Sequence, residues 1–299
     1  MKLADRTWLG TTDGDHDKAA NWLEVQVPIT GDTYIFGAGA VHDLDTNMDQ
    51  STIVPAAIYI LHTLPAGISI GTASAYFKIG APTSELIIGR HTGTGSPTGS
   101  RRIKLDLYKG SGTTPGPVII ERTATTSADA NKQPVRLLAD SADIDVYIRK
   151  GKVGLAVDSG ETAVFGDVNI SYVDDAQNDA EVRIGEGVTF SNLYKTGGNG
   201  EMWCGATAVE NHDGTLIING SGAVASLLTE GGTVVPNSTG TLTAAYCRGG
   251  LTDWTRNRQP RSVGTIYYAP DGAFAFDPAV LTVGALTAEQ AVQISASEP

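Results

Sequence analysis

An acidic string near the N-terminus has the spacing closest to that of a metal site. Three aspartates and a glutamate occupy positions 1, 3, 5 and 12 of a twelve-residue segment, as the oxygen ligands of an EF-hand calcium loop do. The sixth position is Lys18 instead of the glycine that the sharp turn requires, and no flanking helices are evident. We therefore favour a solvated acidic turn over a calcium site. The four acids are Asp13, Asp15, Asp17 and Glu24.

Carboxylate pairs are the second candidate, because β-helical folds include enzymes that place two acids, or an acid and a base, on either side of a sugar. The available acids have the spacing of ordinary outward strand positions and turns. No dense cluster of acids, histidines and aromatic residues marks a cleft, so the sequence does not predict an active site. The residues in question are Asp106, Asp143, Asp145, Asp174 and Asp175, with Arg136, Arg149 and Lys150 on nearby coils.

The remaining chemically active residues are scattered along the chain. The histidines lack ligand spacing such as His-x-x-x-His, and the glycine-rich segments 71–74 and 93–99 lack the lysine and helix of a phosphate loop. We predict no catalytic residue, no cofactor-binding residue, no metal ligand and no cofactor. The five histidines are His16, His42, His62, His91 and His212.

A basic group near the C-terminus is the candidate protein contact. Four arginines lie close to Trp254 in an otherwise acidic chain, and arginine and tryptophan are enriched in the hot spots of protein interfaces. We predict a subunit or partner contact here, with ordinary surface packing as the alternative. The arginines are Arg248, Arg256, Arg258 and Arg261.

Charge and cysteine content restrict the class of protein. With 33 acidic and 21 basic side chains, the net charge of −12 repels phosphate, so we expect neither nucleic acid nor a membrane as partner. Cys204 and Cys247 are too few for a disulfide scaffold and are expected to be free, buried thiols. The first six residues lack the apolar run of a signal peptide, so we expect synthesis in a cytoplasm.

The elements that position these residues are visible in an internal repeat. Residues 215–232 align without a gap on residues 233–250 at an offset of 18, and residues 181–198 match the first copy at an offset of 34. A divergent unit, 199–214, lies between them. A short period of aliphatic segments separated by glycine turns is typical of a solenoid, in which each coil buries its inner face against its neighbours.

In a parallel β-helix, equivalent residues of successive coils lie about 4.8 Å apart, so their side chains form columns along the axis. The repeat therefore predicts two aliphatic columns inside, an asparagine ladder at a turn and a surface ion pair. The predicted neighbours are Leu216 with Val234, Val224 with Leu242, Asn219 with Asn237, and Glu230 with Arg248.

Upstream, eight short aliphatic segments separated by turn residues are predicted strands. We predict an all-β fold, a single-stranded parallel β-helix with about 18 residues per coil and roughly 11 or 12 coils between residues 72 and 285. Residues 1–71 are predicted to form a β-rich N-terminal cap or attachment segment, 72–284 the solenoid and 285–299 a C-terminal tail. The eight segments are 76–79, 86–88, 103–107, 118–120, 135–138, 144–148, 153–157 and 168–170.

Several of these segments resemble known β-solenoid proteins. The N-terminal motifs Thr7-Trp8, 19–22, Val27-Pro28 and 31–33 look like the start of autotransporter-like passengers. The succession of 49–51, 77–81, 103–107, 160–163 and the Gly-Gly-Thr coils is similar to β-helical virion proteins encoded by tailed bacteriophages. That resemblance implies a head-decoration or fibre protein and supplies no catalytic residue.

We therefore expect a non-enzymatic virion structural protein, a capsid decoration or cement protein that forms a stiff oligomeric knob. Its expected partners are further copies of itself, in a homotrimer, and the major capsid protein or another virion protein. Its expected place is the capsid surface or the tail. The alternative is a tail fibre or tailspike-like protein that binds or cleaves a host surface polysaccharide.

Overall fold

The computed structural model describes residues 3–90, 100–124, 126–171 and 180–289. Within these ranges the chain winds into successive coils whose strands pair in parallel in two long sheets. A single 3-10 turn, Ala19–Asn21, is the only helical segment of the described residues. The predicted parallel β-helix is confirmed.

Sheet 1, as we name it, has thirteen strands, one from each coil. In stacking order, which is also chain order, they are Asp5–Trp8, Thr33–Phe36, Ala57–Leu61, Glu85–Arg90, Val118–Ile120, Val146–Ile148, Val168–Ile170, Asn192–Lys195, Ala206–Asn211, Val224–Thr229, Leu242–Cys247, Arg261–Tyr268 and Leu281–Ala288.

Sheet 2 has eleven strands and closes the other side of the core. They are Asp49–Gln50, Phe77–Gly80, Ile103–Tyr108, Val135–Ala139, Lys152–Leu155, Glu181–Ile184, Asn199–Met202, Thr215–Ile218, Thr233–Pro236, Leu251–Asp253 and Ala273–Ala275. Two short pairs lie outside these sheets: Ser100–Arg101 with Thr126–Ser127, and Ala163–Val164 with Val188–Thr189.

The register of the repeat agrees with the alignment of the sequence on itself. Leu216 pairs with Val234 and Val224 with Leu242, as predicted. The Nδ2 amide of Asn237 donates to Oδ1 of Asn219 at 3.3 Å, so the asparagine ladder is also confirmed. Each of the eight upstream segments overlaps a strand of one of the two sheets.

One predicted column contact is confirmed only in part. Glu230 and Arg248 follow the paired residues Thr229 and Cys247 of adjacent strands. The hydrogen bonds to Glu289 raise the pKa of Arg248 most, and the nearby charge of Glu230 also raises it, but no ion pair joins Glu230 and Arg248 among the described contacts. Arg248 instead binds Glu289 through two hydrogen bonds of 2.9 and 3.0 Å, and Glu230 lies 2.8 Å from Nδ1 of His212. A bidentate pair matches the fork of the guanidinium group better than a single contact along the column.

The 18-residue period holds only where the turns are short. Leu227 pairs with Ala245, 18 residues on, whereas Leu86 pairs with Val118, 32 residues on. Loops inserted between strands lengthen the upstream coils without changing the register of the sheet. Within the described ranges, ten strands of sheet 1 therefore begin between residues 72 and 285, fewer than the predicted 11 or 12 coils.

A single hydrophobic core runs along the axis, built from columns such as Leu86, Val118 and Val146 on sheet 1. At the N-terminal end Trp8 and Trp22 pack edge to face and close the core. The first strands, and the strand that crosses residue 284, belong to the same sheets as the rest. The domain boundaries at 71 and 284 remain predictions.

Glycine is required where one turn lies directly on the next. Gly232 has a φ of +63°, and a Cβ there would lie 2.1 Å from the carbonyl oxygen of Gly214 in the coil below. We expect Gly232→Ala to lower the free energy of unfolding by about 2–5 kcal/mol, since left-handed backbone and a steric clash add together. Gly112→Ala is the control, because its φ is +71° and its Cβ would meet nothing within 4 Å. Urea denaturation in which both variants lost the same stability would show that the coil contact contributes nothing.

Candidate functional site

The acidic string Asp13–Asp17 forms a turn whose carboxylates accept hydrogen bonds from the turn itself. Hydrogen bonds from the Lys18 ammonium and the Asn21 amide, each 2.7 Å long, lower the pKa of Asp13 to about 2. His16 points inward: its Nδ1 lies 2.9 Å from Asp17 and its Nε2 lies 3.2 Å from the Tyr34 hydroxyl. Burial lowers the pKa of His16. The string therefore anchors the N-terminal end of the core.

The structure brings part of the predicted carboxylate set together. Asp143, Asp145 and Arg149 surround a shallow hollow of about 350 Å³ beside sheet 1. Asp143 forms an ion pair with Lys109, and Oδ1 of Asp145 accepts a hydrogen bond of 2.8 Å from the backbone N–H of Asp167. Both acids therefore have partners that hold them in place.

The other members of that set lie elsewhere. Asp106 is on a strand of sheet 2, where burial raises its pKa and the Tyr108 hydroxyl donates to it at 2.8 Å. Arg136 and Lys150 are buried. Asp174 and Asp175 lie outside the described residues.

The predicted basic contact is wrong for its aromatic member. Trp254 is only 1% exposed and belongs to the hydrophobic core, so it cannot anchor a partner. Arg261 donates to the Trp254 carbonyl, and Arg256 lies 3.2 Å from Asp253. Two of the four arginines therefore stabilise the last coils, and a third, Arg248, binds Glu289.

A groove of about 650 Å³ beside sheet 2 is a further candidate binding site. Its walls are residues 131–133, 156–162, Arg183, 185–187 and Trp203. Trp203 is half-buried and directly follows the strand Asn199–Met202, while Arg183 points outward from the preceding strand of the sheet. An indole ring beside charged and amide groups is suited to binding a polar ring such as a sugar.

Local backbone geometry holds one wall of the groove against the sheet. Ala156 has a φ of +42°, a left-handed conformation that costs about 1–3 kcal/mol for a residue other than glycine. A Cβ added to Gly185 would lie only 1.7 Å from the carbonyl oxygen of Ala156. A glycine at 185 therefore lets the 156–162 loop approach the next coil.

An ionic network fixes the same wall from behind. Arg136 is 1% exposed; its Nη1 lies 2.9 Å from Oδ2 of Asp158, and its Nη2 contacts Asp129. Burial raises the pKa of Asp158, but the hydrogen bond from Lys132 and the charge of Arg136 outweigh burial and hold that pKa below its ordinary value. The backbone N–H of Asp158 also donates to Glu161 at 3.0 Å. Lys132 and Arg136 therefore hold the Asp158 carboxylate at the rim of the groove and favour its ionised form.

A buried lysine lies one strand away from this network. Lys104 pairs in register with Arg136, and its ammonium lies 4.1 Å from the centre of the Tyr76 ring. The ammonium also donates to the Ala73 carbonyl at 3.2 Å. Burial lowers the pKa of Lys104. A cation–π contact and a carbonyl replace part of the water that the charge has lost.

Sequence reasoning missed the groove because two loops of irregular length form it. One signal was available: Trp203 occupies the column in which the next two coils carry Asn219 and Asn237. A bulky aromatic residue at a repeat position otherwise taken by asparagine indicates a local departure from the solenoid pattern.

Both cysteines are free and buried, as predicted. Burial raises the pKa of the Cys204 thiol to about 12. Within the described ranges, no group of three or more histidine, cysteine or carboxylate side chains is arranged to hold a metal ion. In the same ranges no helix has the length and apolar character needed to cross a membrane.

Comparison with known proteins gives no relative of this chain. No protein-family model, no curated protein and no solved structure matches it significantly. The resemblance to phage β-helical proteins therefore remains a prediction.

Proposed function

We propose that this protein is a non-enzymatic virion structural protein, a capsid decoration or cement protein that forms a stiff homotrimeric knob. One observation carries the proposal: thirteen parallel strands stack in one continuous sheet from Asp5 to Ala288, around a single core. At the usual strand spacing the stack is about 58 Å long. Each inner coil is hydrogen-bonded to the coil on either side, so bending or cutting the rod disturbs several coils at once.

The charge distribution supports a role in assembly. Buried cations such as Arg136 and Lys104 hold loops and coils together, and the pairs Arg102–Asp129 and Arg248–Glu289 join residues of different coils. These groups are engaged in maintaining the rod. The net charge of −12 favours a protein partner, the major capsid protein or another virion protein, over packaged DNA. The proposed place is the capsid surface or the tail, after synthesis in the host cytoplasm.

Electron microscopy of particles made from the encoding genome, with and without this gene, tests the proposal. We expect regular, three-fold symmetric knobs only on particles that contain the chain. We also expect particles without it to release DNA at a lower temperature, because a cement protein stabilises the shell. Particles that assemble in the presence of the chain but do not contain it contradict the proposal. So do particles without the chain that show the same density in micrographs and the same heat resistance as particles with it.

A second function, binding of a host surface polysaccharide, is supported by the groove. Trp203 supplies an indole ring, and Arg183 and Glu186 supply hydrogen-bonding groups on the wall beside it. An aromatic ring packs on the apolar face of a sugar while the polar groups bind its hydroxyls.

Trp203→Ala is expected to weaken polysaccharide binding by about tenfold or more, since aromatic groups dominate such contacts. Affinity electrophoresis in gels that contain capsular polysaccharide from the host measures this directly. Tyr268→Ala, at an exposed position of the opposite sheet, is the matched control and should retain full binding. Wild-type protein that is not retarded by any host polysaccharide, or equal retardation of both variants, contradicts this second function.

A further inference from the structure

One histidine near the N-terminus is enclosed by aromatic rings. It belongs to residues 13–24, which we call the acidic loop. His16 is fully buried, and its ring centre lies 5.4, 5.9 and 5.6 Å from those of Trp22, Tyr34 and Phe77. Trp22 is on the acidic loop, Tyr34 on sheet 1 and Phe77 on sheet 2. A titratable ring therefore lies where the loop and both sheets meet.

The backbone of His16 joins the acidic loop to its neighbours. Its N–H donates to the Thr46 carbonyl at 3.2 Å, and its carbonyl accepts a hydrogen bond of 2.9 Å from Nε1 of Trp22. Trp22 in turn forms an antiparallel bridge with Trp8, the last residue of the first strand of sheet 1. His16 is thus connected through Trp22 to the edge of that sheet.

The end of the acidic loop covers the outer edge of this first strand. The N–H of Leu9 donates to the Asn21 carbonyl, and the N–H of Leu23 donates to the Thr7 carbonyl, each at 2.9 Å. On its other edge the strand pairs in parallel with Thr33–Phe36. A strand edge without a cover offers its backbone N–H and carbonyl groups to a further strand. The position of the acidic loop therefore decides whether this edge of sheet 1 is accessible.

The hydrogen bonds of the His16 ring define its neutral form. Nδ1 lies 2.9 Å from the Asp17 carboxylate, and Nε2 lies 3.2 Å from the Tyr34 hydroxyl. An ionised carboxylate can only accept, so Nδ1 carries the hydrogen and Nε2 accepts a hydrogen bond from Tyr34. The Gln50 amide also donates to Asp17, at 3.0 Å, and keeps that carboxylate in place. Every polar atom of the neutral ring thus has a partner.

A second proton on this ring removes the acceptor of the Tyr34 hydroxyl. Nε2 then becomes a donor that points at the tyrosine oxygen, and the hydroxyl hydrogen has no other acceptor among the described contacts of Tyr34. Tyr34 is fully buried, so this hydrogen cannot turn to water instead. An unsatisfied buried hydroxyl and a buried positive charge both disfavour the closed arrangement of the loop.

The charges around His16 do not compensate for this loss. Burial lowers the pKa of His16 below its ordinary value, and the charges of Asp17 and Asp15 oppose burial only in part. The other charged groups on the loop and on the elements packed against it have partners of their own. They are Asp13 with Lys18, Asp32 with Arg6, Lys78 with Asp49, and Asp45, which accepts a hydrogen bond from the Thr46 hydroxyl.

We propose that His16 is a proton-operated latch: its protonation releases the acidic loop from the core and uncovers the outer edge of the strand Asp5–Trp8. In the closed form the ring excludes a second proton, whereas in the open form it lies in water and binds one, so acid favours the open form. Above pH 6.5, the ordinary pKa of the ring, both forms are neutral and the latch has its full stability. As the pH falls below that value, the equilibrium constant for opening rises by up to tenfold per pH unit, until the pH reaches the lower pKa of the closed form. The latch is independent of the virion function.

Hydrogen exchange of the wild-type chain between about pH 7.5 and about pH 5, corrected for the intrinsic exchange rate, tests the latch without any substitution. At the amides of Leu9, Gly10 and Leu23, whose hydrogen bonds hold the loop on the edge strand, we expect the opening constant to rise about tenfold per pH unit below pH 6.5. The amides of Val224 and Leu251, in the repeat, are the internal control and should change by less than about twofold. No rise at the first set of amides, or an equal rise at both sets, overturns the inference.

His16→Gln provides the second measurement. A glutamine amide can accept a hydrogen bond from Tyr34 but takes up no proton, so exchange at Leu9 and Leu23 should lose its dependence on pH in this range, whatever its absolute rate. His42→Gln, at an exposed position, is the matched control and should keep the wild-type dependence. A His16→Gln variant that retains the wild-type dependence, or a His42→Gln variant that loses it, contradicts the latch. If His16→Gln does not fold, the exchange of the wild-type chain still decides.

Discussion

Replacement of Trp22 by alanine is expected to lower the free energy of unfolding by about 3–5 kcal/mol, because the indole fills the N-terminal end of the core. Trp22 is 1% exposed. Its ring centre lies 5.1 Å from that of Trp8 and 5.4 Å from that of Tyr34, in both cases edge to face. Its Nε1 donates to the His16 carbonyl at 2.9 Å. The variant therefore loses packing, aromatic contacts and a buried hydrogen bond together.

In a solenoid, this loss should be felt first by the neighbouring coils. Coils contact only their neighbours, so an uncovered end exposes the next inward column and unfolding proceeds from there. Urea denaturation measures the stability, and hydrogen exchange should show the largest loss of protection in residues 5–61. Trp203→Ala, at the half-buried wall of the groove, is the control and should cost about 1 kcal/mol. If the two alanine variants lost the same free energy of unfolding, the N-terminal aromatic cluster would not close the core.

The repeated part of the fold could be predicted from the sequence because its turns are short and equal. Where Thr215 aligns with Thr233, the same spacing sets hydrophobic pattern and strand register at once, and one residue of slip would turn every side chain to the wrong face.

The groove and the last coils depend on contacts that the repeat period does not determine. The groove is formed mainly by the loops 131–133, 156–162 and 185–187, and the position of such loops is set by tertiary packing. The predicted contact at the basic group near Trp254 fails for a related reason. Arginine beside tryptophan indicates an interface only where the indole is exposed, but the last coils fold this indole inward and leave Arg261 on its carbonyl. Local composition does not show on which side of a turn a side chain lies.

Replacing Asp129 and Asp158 together by alanine is expected to lower the free energy of unfolding by about 3–5 kcal/mol, because it leaves a buried guanidinium without a counter-charge. The Arg136 side chain is 2% exposed and contacts both carboxylates. The pKa of Asp158 is held below its ordinary value, so this carboxylate contributes stability above the pKa of an unfolded aspartate. That contribution should be lost as the pH falls through the lower pKa of the folded state.

Arg136→Met is the informative counterpart, and it should change stability by less than about 1.5 kcal/mol. Without Arg136, Asp129 keeps the Arg102 guanidinium at 2.8 Å and Asp158 keeps the Lys132 ammonium, so neither carboxylate is left unpaired. Adding Arg136→Met to the double alanine variant should therefore restore most of the lost stability, since it removes the uncompensated charge. Urea denaturation at neutral pH compares the three variants. If Arg136→Met alone costs as much as the loss of both acids, Arg136 stabilises the wall of the groove by its own packing and hydrogen bonds, and the charge argument is wrong.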